Sequence, residues 1–129
     1  MRHSEDEERR LTLVRTMYQE MLFPLDDTRV DDFIAPDYIQ HSPLAEPGRD
    51  ALKAWLRATR AESPNSSQTL HRILVDGDIV VAHLHVRRWP DDRGLAVMDM
   101  YRIDGDRIAE HWEVIQELPE QPINSNPMF

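Results

Sequence analysis

LAVMDMYRIDGDRIAEHWEVIQEL, residues 95–118, is the stretch whose reading decides the fold. Two runs rich in apolar, β-branched and aromatic residues flank Asp104-Gly105-Asp106, the signature of a β-hairpin. Asp99 is out of place there, set between Met98 and Met100 in an otherwise apolar strand. A carboxylate is costly to bury unless it is paired, so the face it takes matters. That face depends on register, because a one-residue slip turns a strand over. A tight turn at Asp104-Gly105 would put Asp99 with Glu110 and Trp112. A three-residue loop over Ile103–Gly105, with Gly105 left-handed, would put it with His111 and Glu113. The second keeps the apolar residues together and is the register expected.

Upstream, Thr69–Val75 and Ile79–Trp89 read as two more strands, joined at Asp76-Gly77-Asp78 and followed by a Pro90–Gly94 loop. The same geometry at Gly77 puts His71, His83 and Val81 on one face. With numbering parity carried across the strands, the odd face holds His83, His85, Val97, Asp99, Tyr101, His111 and Glu113. The even face holds Val80, Ala82, Leu84, Val86, Ala96, Met98, Met100, Ile108, Trp112 and Val114. Neither is a charged, solvated face. Three helices precede the strands. Ser4 and Glu7 form a capping box, and Leu11, Val14, Tyr18 and Met21 or Leu22 make a stripe that stops at Pro24. A second helix is expected over about Thr28–Ala35, closed by Pro36, and Tyr38–His41 as a brief extended piece. Ala51, Leu52, Trp55, Leu56 and Ala58 mark a third helix, ending near Ser63-Pro64. Helices first and a meander afterwards is an α+β plan, with the helices on one sheet face. The other face is expected to meet a second copy, giving a homodimer through the apolar even residues. Residues 1–129 read as a single domain, with a core over 5–118 and an extended tail over 119–129. Met128-Phe129 folds back onto a pocket mouth or a partner, or is disordered.

A formal net charge of −9 argues against nucleic acid, whose phosphates demand a basic face. No apolar run approaches the ~18 residues of a membrane span, and the charged start MRHSEDEERR lacks a signal peptide's apolar stretch. The chain has no cysteine, which excludes disulfides and thiolate chemistry and fits a reducing, cytoplasmic setting. No glycine-rich phosphate loop and no serine elbow is present.

Several polar residues could carry chemistry. His83 and His85 point the same way and could be metal ligands or neutral hydrogen-bonding groups. The spacing supplies no third ligand, so no metal is assigned. Asp99 fits a salt bridge to Arg102 or Arg107 and a desolvated proton carrier equally well. The same two readings apply to Glu113 beside His111. Trp55 and Trp112 fit a core or a ligand platform.

YIQHSP at 38–43, HLH at 83–85, RGLAVMDMYRIDGDRIAEHWEVIQELPE at 93–120 and NSNPMF at the end together resemble the SnoaL-like polyketide cyclase family of the nuclear-transport-factor-2-like superfamily. The resemblance covers about residues 5–129. It implies an α+β cone, three helices packed on a strongly curved antiparallel sheet that encloses a pocket, with dimers formed through the sheet. It also implies cofactor-free aldol-type ring closure with an acidic proton carrier. The acid of the last strand is matched by Glu113, where relatives with the EHW motif usually carry Asp. Asp99 matches the aspartate of the preceding strand, and His41 the histidine of YIQH.

The expected function is therefore acid–base catalysis without cofactor (cyclization, isomerization or dehydration) on a small hydrophobic or carbonyl-containing molecule. Asp99, Glu113 and His111 are the catalytic candidates. His41, Tyr38, Trp55, His83, His85, Tyr101 and Val97 are the expected pocket residues. The alternatives are a non-catalytic binding or docking domain, and a metal enzyme using His83 and His85.

Overall fold

The computed structural model describes residues 2–129. α1 (Glu5–Met17) begins on the capping box: Ser4 Oγ accepts from the Glu7 amide, and Glu7 Oε1 from the Ser4 amide. Glu7 Oε2 also accepts from the Gly77 amide at 3.0 Å, while Arg10 donates to the Gly77 carbonyl at 2.8 Å. These contacts pin the helix start to a sheet turn. The helix does not run unchanged to Pro24. From Tyr18 to Leu22 it widens into a π turn, with the amide of Phe23 on the carbonyl of Tyr18 at 2.8 Å.

The second helix is shorter than the expected span of about Thr28–Ala35. A 3₁₀ turn (Asp27–Arg29) leads into α2 (Val30–Phe33), and the chain is already extended at Ile34. β1 (Ile34–Gln40) contains Pro36, which an edge strand tolerates because one of its sides needs no donors. α3 (Arg49–Glu62) follows, and its Leu56 is fully buried; burying such a side chain contributes roughly 1.5–3 kcal/mol.

β2 (Ser67–Asp76), β3 (Ile79–Arg87), β4 (Leu95–Asp104) and β5 (Arg107–Glu117) form the antiparallel meander, within a few residues of the expected ends. β1 adds a fifth strand, parallel to β5, in the order β1-β5-β4-β3-β2. The helices cover the concave face of this curved sheet.

Asp99 stands opposite Glu113 and Tyr101 opposite His111, so the preferred grouping holds. The route differs from the expected loop. Gly105-Asp106 makes a two-residue turn with Gly105 at φ +62°, and Ile103 pairs Ile108 while Arg102 pairs Glu110. Ala109 is the extra residue of a bulge, and the bulge restores the parity. In β2, His71 is likewise extra, between pairs Leu70–Leu84 and Arg72–His83.

One face assignment is corrected. Ala82 lies opposite Asp99 and Leu84 opposite Val97, so even residues of β3 share the inner face with odd residues of β4 and β5. The connection over residues 87–94 sets that offset, and parity does not carry across it. His83 and His85 therefore lie on the outer face, and Val80, Ala82, Leu84 and, ahead of the bulge, Ile108 belong to the core instead of a partner surface. Phe129 packs on that outer face, not at the pocket mouth, with ring centroids 4.7 Å from His71 and 4.5 Å from His85.

Candidate active site

Between the concave face and the helices lies a cavity of about 600 Å³. Its walls are mostly apolar, including Met21 beyond α1, Leu52 and Trp55 of α3, and Val97 and Ile115 of the sheet. Trp55 stands half exposed. Among the described residues no lysine or arginine lines it, whereas Glu46, Asp99 and Glu113 do.

At its polar end Asp99 is buried, with one hydrogen-bond partner on each oxygen. Its Oδ1 lies 2.8 Å from His111 Nε2, and its Oδ2 accepts from the Tyr18 hydroxyl at 2.7 Å. The Tyr101 hydroxyl is 2.8 Å from that of Tyr18. A hydroxyl has one proton to give; with Tyr18 donating to the carboxylate, Tyr101 donates to Tyr18. Burial, reinforced by the charge of Asp99, pushes the Tyr18 and Tyr101 phenols well above their usual range. Burial first, then Asp99 and Glu113, does the same for Tyr38. All three phenols thus stay protonated, with the Tyr18 and Tyr101 hydrogens committed to Asp99 and Tyr18.

His111 is held from its other side by Gln40, whose Oε1 lies 2.8 Å from Nδ1. The Ser42 amide donates to that same oxygen at 3.0 Å, and Gln40 Nε2 donates to the Tyr38 hydroxyl at 3.1 Å. The Ser42 hydroxyl donates to Glu113 Oε1. Ser42 lies two residues beyond the end of β1, where the parallel pairing sets Gln40 beside His111.

The structure brings Asp99, His111, Glu113, Tyr38, Tyr101, Val97 and Trp55 together around the cavity. It does not bring His41, His83 or His85 there. His41 turns outward, stacking on Trp112 at 4.9 Å with its Nε2 2.6 Å from Glu110 Oε2. Neighbours along a strand point to opposite faces, and Gln40 takes the inner one. His83 Nδ1 meets Arg72, and His85 Nε2 meets the Arg93 carbonyl. Sequence reasoning missed Tyr18, Gln40 and Ser42. A tyrosine in a buried helical stripe needs a partner for its hydroxyl, and that was the available signal for Tyr18.

One oxygen or nitrogen from each of Asp99, His111 and Glu113 lies within 4.8 Å of the others, a spacing compatible with a metal ion. The donor set fits one poorly, because both nitrogens of His111 are engaged, with Gln40 and Asp99, and Ser42 occupies an oxygen of Glu113.

A buried carboxylate, an imidazole and protonated phenols at the end of an apolar cavity in an α+β cone define the general class. The profile of the SnoaL-like domain matches residues 14–111, and the chain belongs to that family. Solved structures of the same fold include a Bacillus cereus protein described as a candidate polyketide cyclase (19% identity, 88% of this chain and 78% of that one, TM-score 0.74). IdmH from Streptomyces antibioticus, also described as a candidate polyketide cyclase, is 19% identical over 82% of this chain and 91% of its own, with TM-score 0.67. A nuclear-transport-factor-2-like protein of Mesorhizobium loti is 18% identical over 89% and 97%, with TM-score 0.70. No curated protein sequence matches the chain. Among the described residues no helix is long and apolar enough to cross a membrane.

Proposed function

We propose that this cavity is the active site of a cofactor-independent acid–base enzyme acting in the cytoplasm on an uncharged, largely apolar carbonyl compound. The observation that carries the reading is the buried contact of Asp99 with His111 and Tyr18 at the polar end of a mostly apolar cavity. Asp99 takes the proton from a carbon next to a carbonyl, and the C–H electron pair moves into an enolate. The Tyr38 hydroxyl accepts from Gln40 and has no acceptor for its own hydrogen among the described residues, so it can donate to the enolate oxygen. In an aldol-type closure the enolate carbon then bonds to a second carbonyl carbon, whose oxygen takes up a proton from the Asp99–His111 pair. Returning the proton to another carbon gives isomerization, and expelling hydroxide as water gives dehydration. The absence of a cationic lining residue favours substrates without phosphate or carboxylate.

The test is hydrogen exchange in D₂O with a panel of uncharged aromatic β-diketones, followed by mass spectrometry. The expected result is deuterium uptake next to the carbonyl, or ring closure, at least a hundredfold above buffer. Compounds that quench Trp55 fluorescence on binding yet never exchange would support a binding domain instead.

The homodimer is proposed on the outer face. Leu74, Met98, Met100 and Val114 are exposed there, with the partly buried Val81 and Trp112 in register between them, a contiguous apolar strip of the kind that marks an interface. Sedimentation at micromolar concentration should give twice the chain mass of 15.1 kDa, and Val114→Asp should halve it. A wild-type monomer removes the proposal.

A further inference from the structure

We infer that Gln40 is a positioning residue that fixes where the protons sit on both of its neighbours, His111 and Tyr38. The inference rests on the acid–base reading of the cavity for its functional meaning, but its geometry stands apart from any substrate. An amide side chain has an accepting end and a donating end, and which is which follows from the partners. The Ser42 backbone N–H can only donate, and it points at Gln40 Oε1 from 3.0 Å. That end of Gln40 is therefore the oxygen. His111 Nδ1, 2.8 Å from the same oxygen, must carry a hydrogen, since two lone pairs facing one another would repel.

The consequence runs across the ring. With Nδ1 protonated, the 2.8 Å contact between His111 Nε2 and Asp99 Oδ1 needs a proton of its own. The pair is either imidazolium with carboxylate or neutral imidazole with carboxylic acid, and never the neutral Nε2–H tautomer. Asp99 and His111 thus share one proton that can lie on either partner. The other end of Gln40 does matching work. Its Nε2 donates to the Tyr38 hydroxyl oxygen at 3.1 Å, which turns the Tyr38 hydrogen away from Gln40 and toward the cavity. One amide, locked by one backbone N–H, loads a shared proton on one side and presents a donor on the other.

The test is ¹⁵N NMR of the histidine rings in the full chain, assigned with His111→Gln, between pH 6 and 8. In the wild type, His111 Nδ1 should give the protonated shift throughout. In Gln40→Leu, Nδ1 loses its acceptor and should move to the unprotonated range as the Nε2–H tautomer takes over. Gln40→Glu, which keeps an acceptor for Nδ1–H and for Ser42, should retain the wild-type signature. Should Gln40→Leu fail to fold, the wild-type and Gln40→Glu spectra still decide the matter. A wild-type Nδ1 in the unprotonated range overturns the inference, as does a folded Gln40→Leu with an unchanged spectrum. Failure of the exchange assay with a protonated Nδ1 would count against the enzyme reading alone.

Discussion

Asp99→Asn is expected to lower turnover by a hundredfold or more while leaving the protein folded. The amide keeps two polar atoms where the carboxylate had them, so Tyr18 and the imidazole of His111 retain partners. It cannot accept a proton from carbon, and general-base contributions of about 10² to 10⁴ are typical of a positioned side chain. Substrate affinity should change far less than the chemical step, because the apolar walls are untouched. The comparison is kcat of variant and wild type on a compound that exchanges, with circular dichroism as the check on folding. Activity within tenfold of wild type would move the proton carrier elsewhere, to Glu113 first. That residue lies across the strand pair from Asp99 and is only half buried.

Gly94→Ala should produce the largest loss of stability of any glycine-to-alanine change in the chain. Gly94 has φ +98°, a conformation that side chains rarely adopt, and an added Cβ would sit 2.5 Å from His85 Nε2 and 2.5 Å from the Val86 carbonyl oxygen. The histidine could swing away; the carbonyl is ladder backbone and cannot. The site is also a hub. The Gly94 amide donates to Asp92 Oδ1, and its carbonyl accepts from the Leu118 amide. Asp92 is itself clamped by the Arg88 guanidinium, which holds its carboxyl well below the usual range. Backbone strain of about 1–3 kcal/mol and overpacking of similar size together suggest about 3 kcal/mol. That corresponds to a melting temperature lower by roughly 10 °C for a domain of this length. Gly77→Asn and Gly105→Asn meet open space at φ +61° and +62°, and asparagine tolerates that region. Both should melt within a few degrees of wild type. A Gly94→Ala protein that does so too would show that the loop can move.

The capping box at Ser4 and Glu7 was legible in the sequence because its chemistry is local. Asp99, His111 and Glu113 were grouped by keeping apolar residues on one face, and the bulge at Ala109, in place of the expected three-residue loop, brings that grouping about. Parity failed at His83 and His85, since nothing between residues 87 and 94 states whether the connection is odd or even. His41 drew attention because an imidazole titrates, yet the inward residue of that strand is Gln40. An amide carries no such signal, and its partner His111 is 71 residues away in the chain. Tyr18 fell on an apolar stripe and was read only as core. It is core, with a polar tip that the stripe conceals.

The widened turn at Tyr18–Leu22 has a consequence for how such a pocket can change over generations. An α-helix advances about 100° per residue, and one residue absorbed in a π turn shifts the phase of everything after it. Residues up to Tyr18 are tied to the sheet through Glu7, Arg10 and Asp99, whereas Met21 and Leu22 form part of the cavity wall. Gain or loss of a single codon between Gln19 and Leu22 would therefore turn the wall like a screw while the proton-handling end stays fixed. A frame-preserving indel at the π turn is expected to alter the part of the wall made by Met21 and Leu22 while leaving Tyr18 on Asp99.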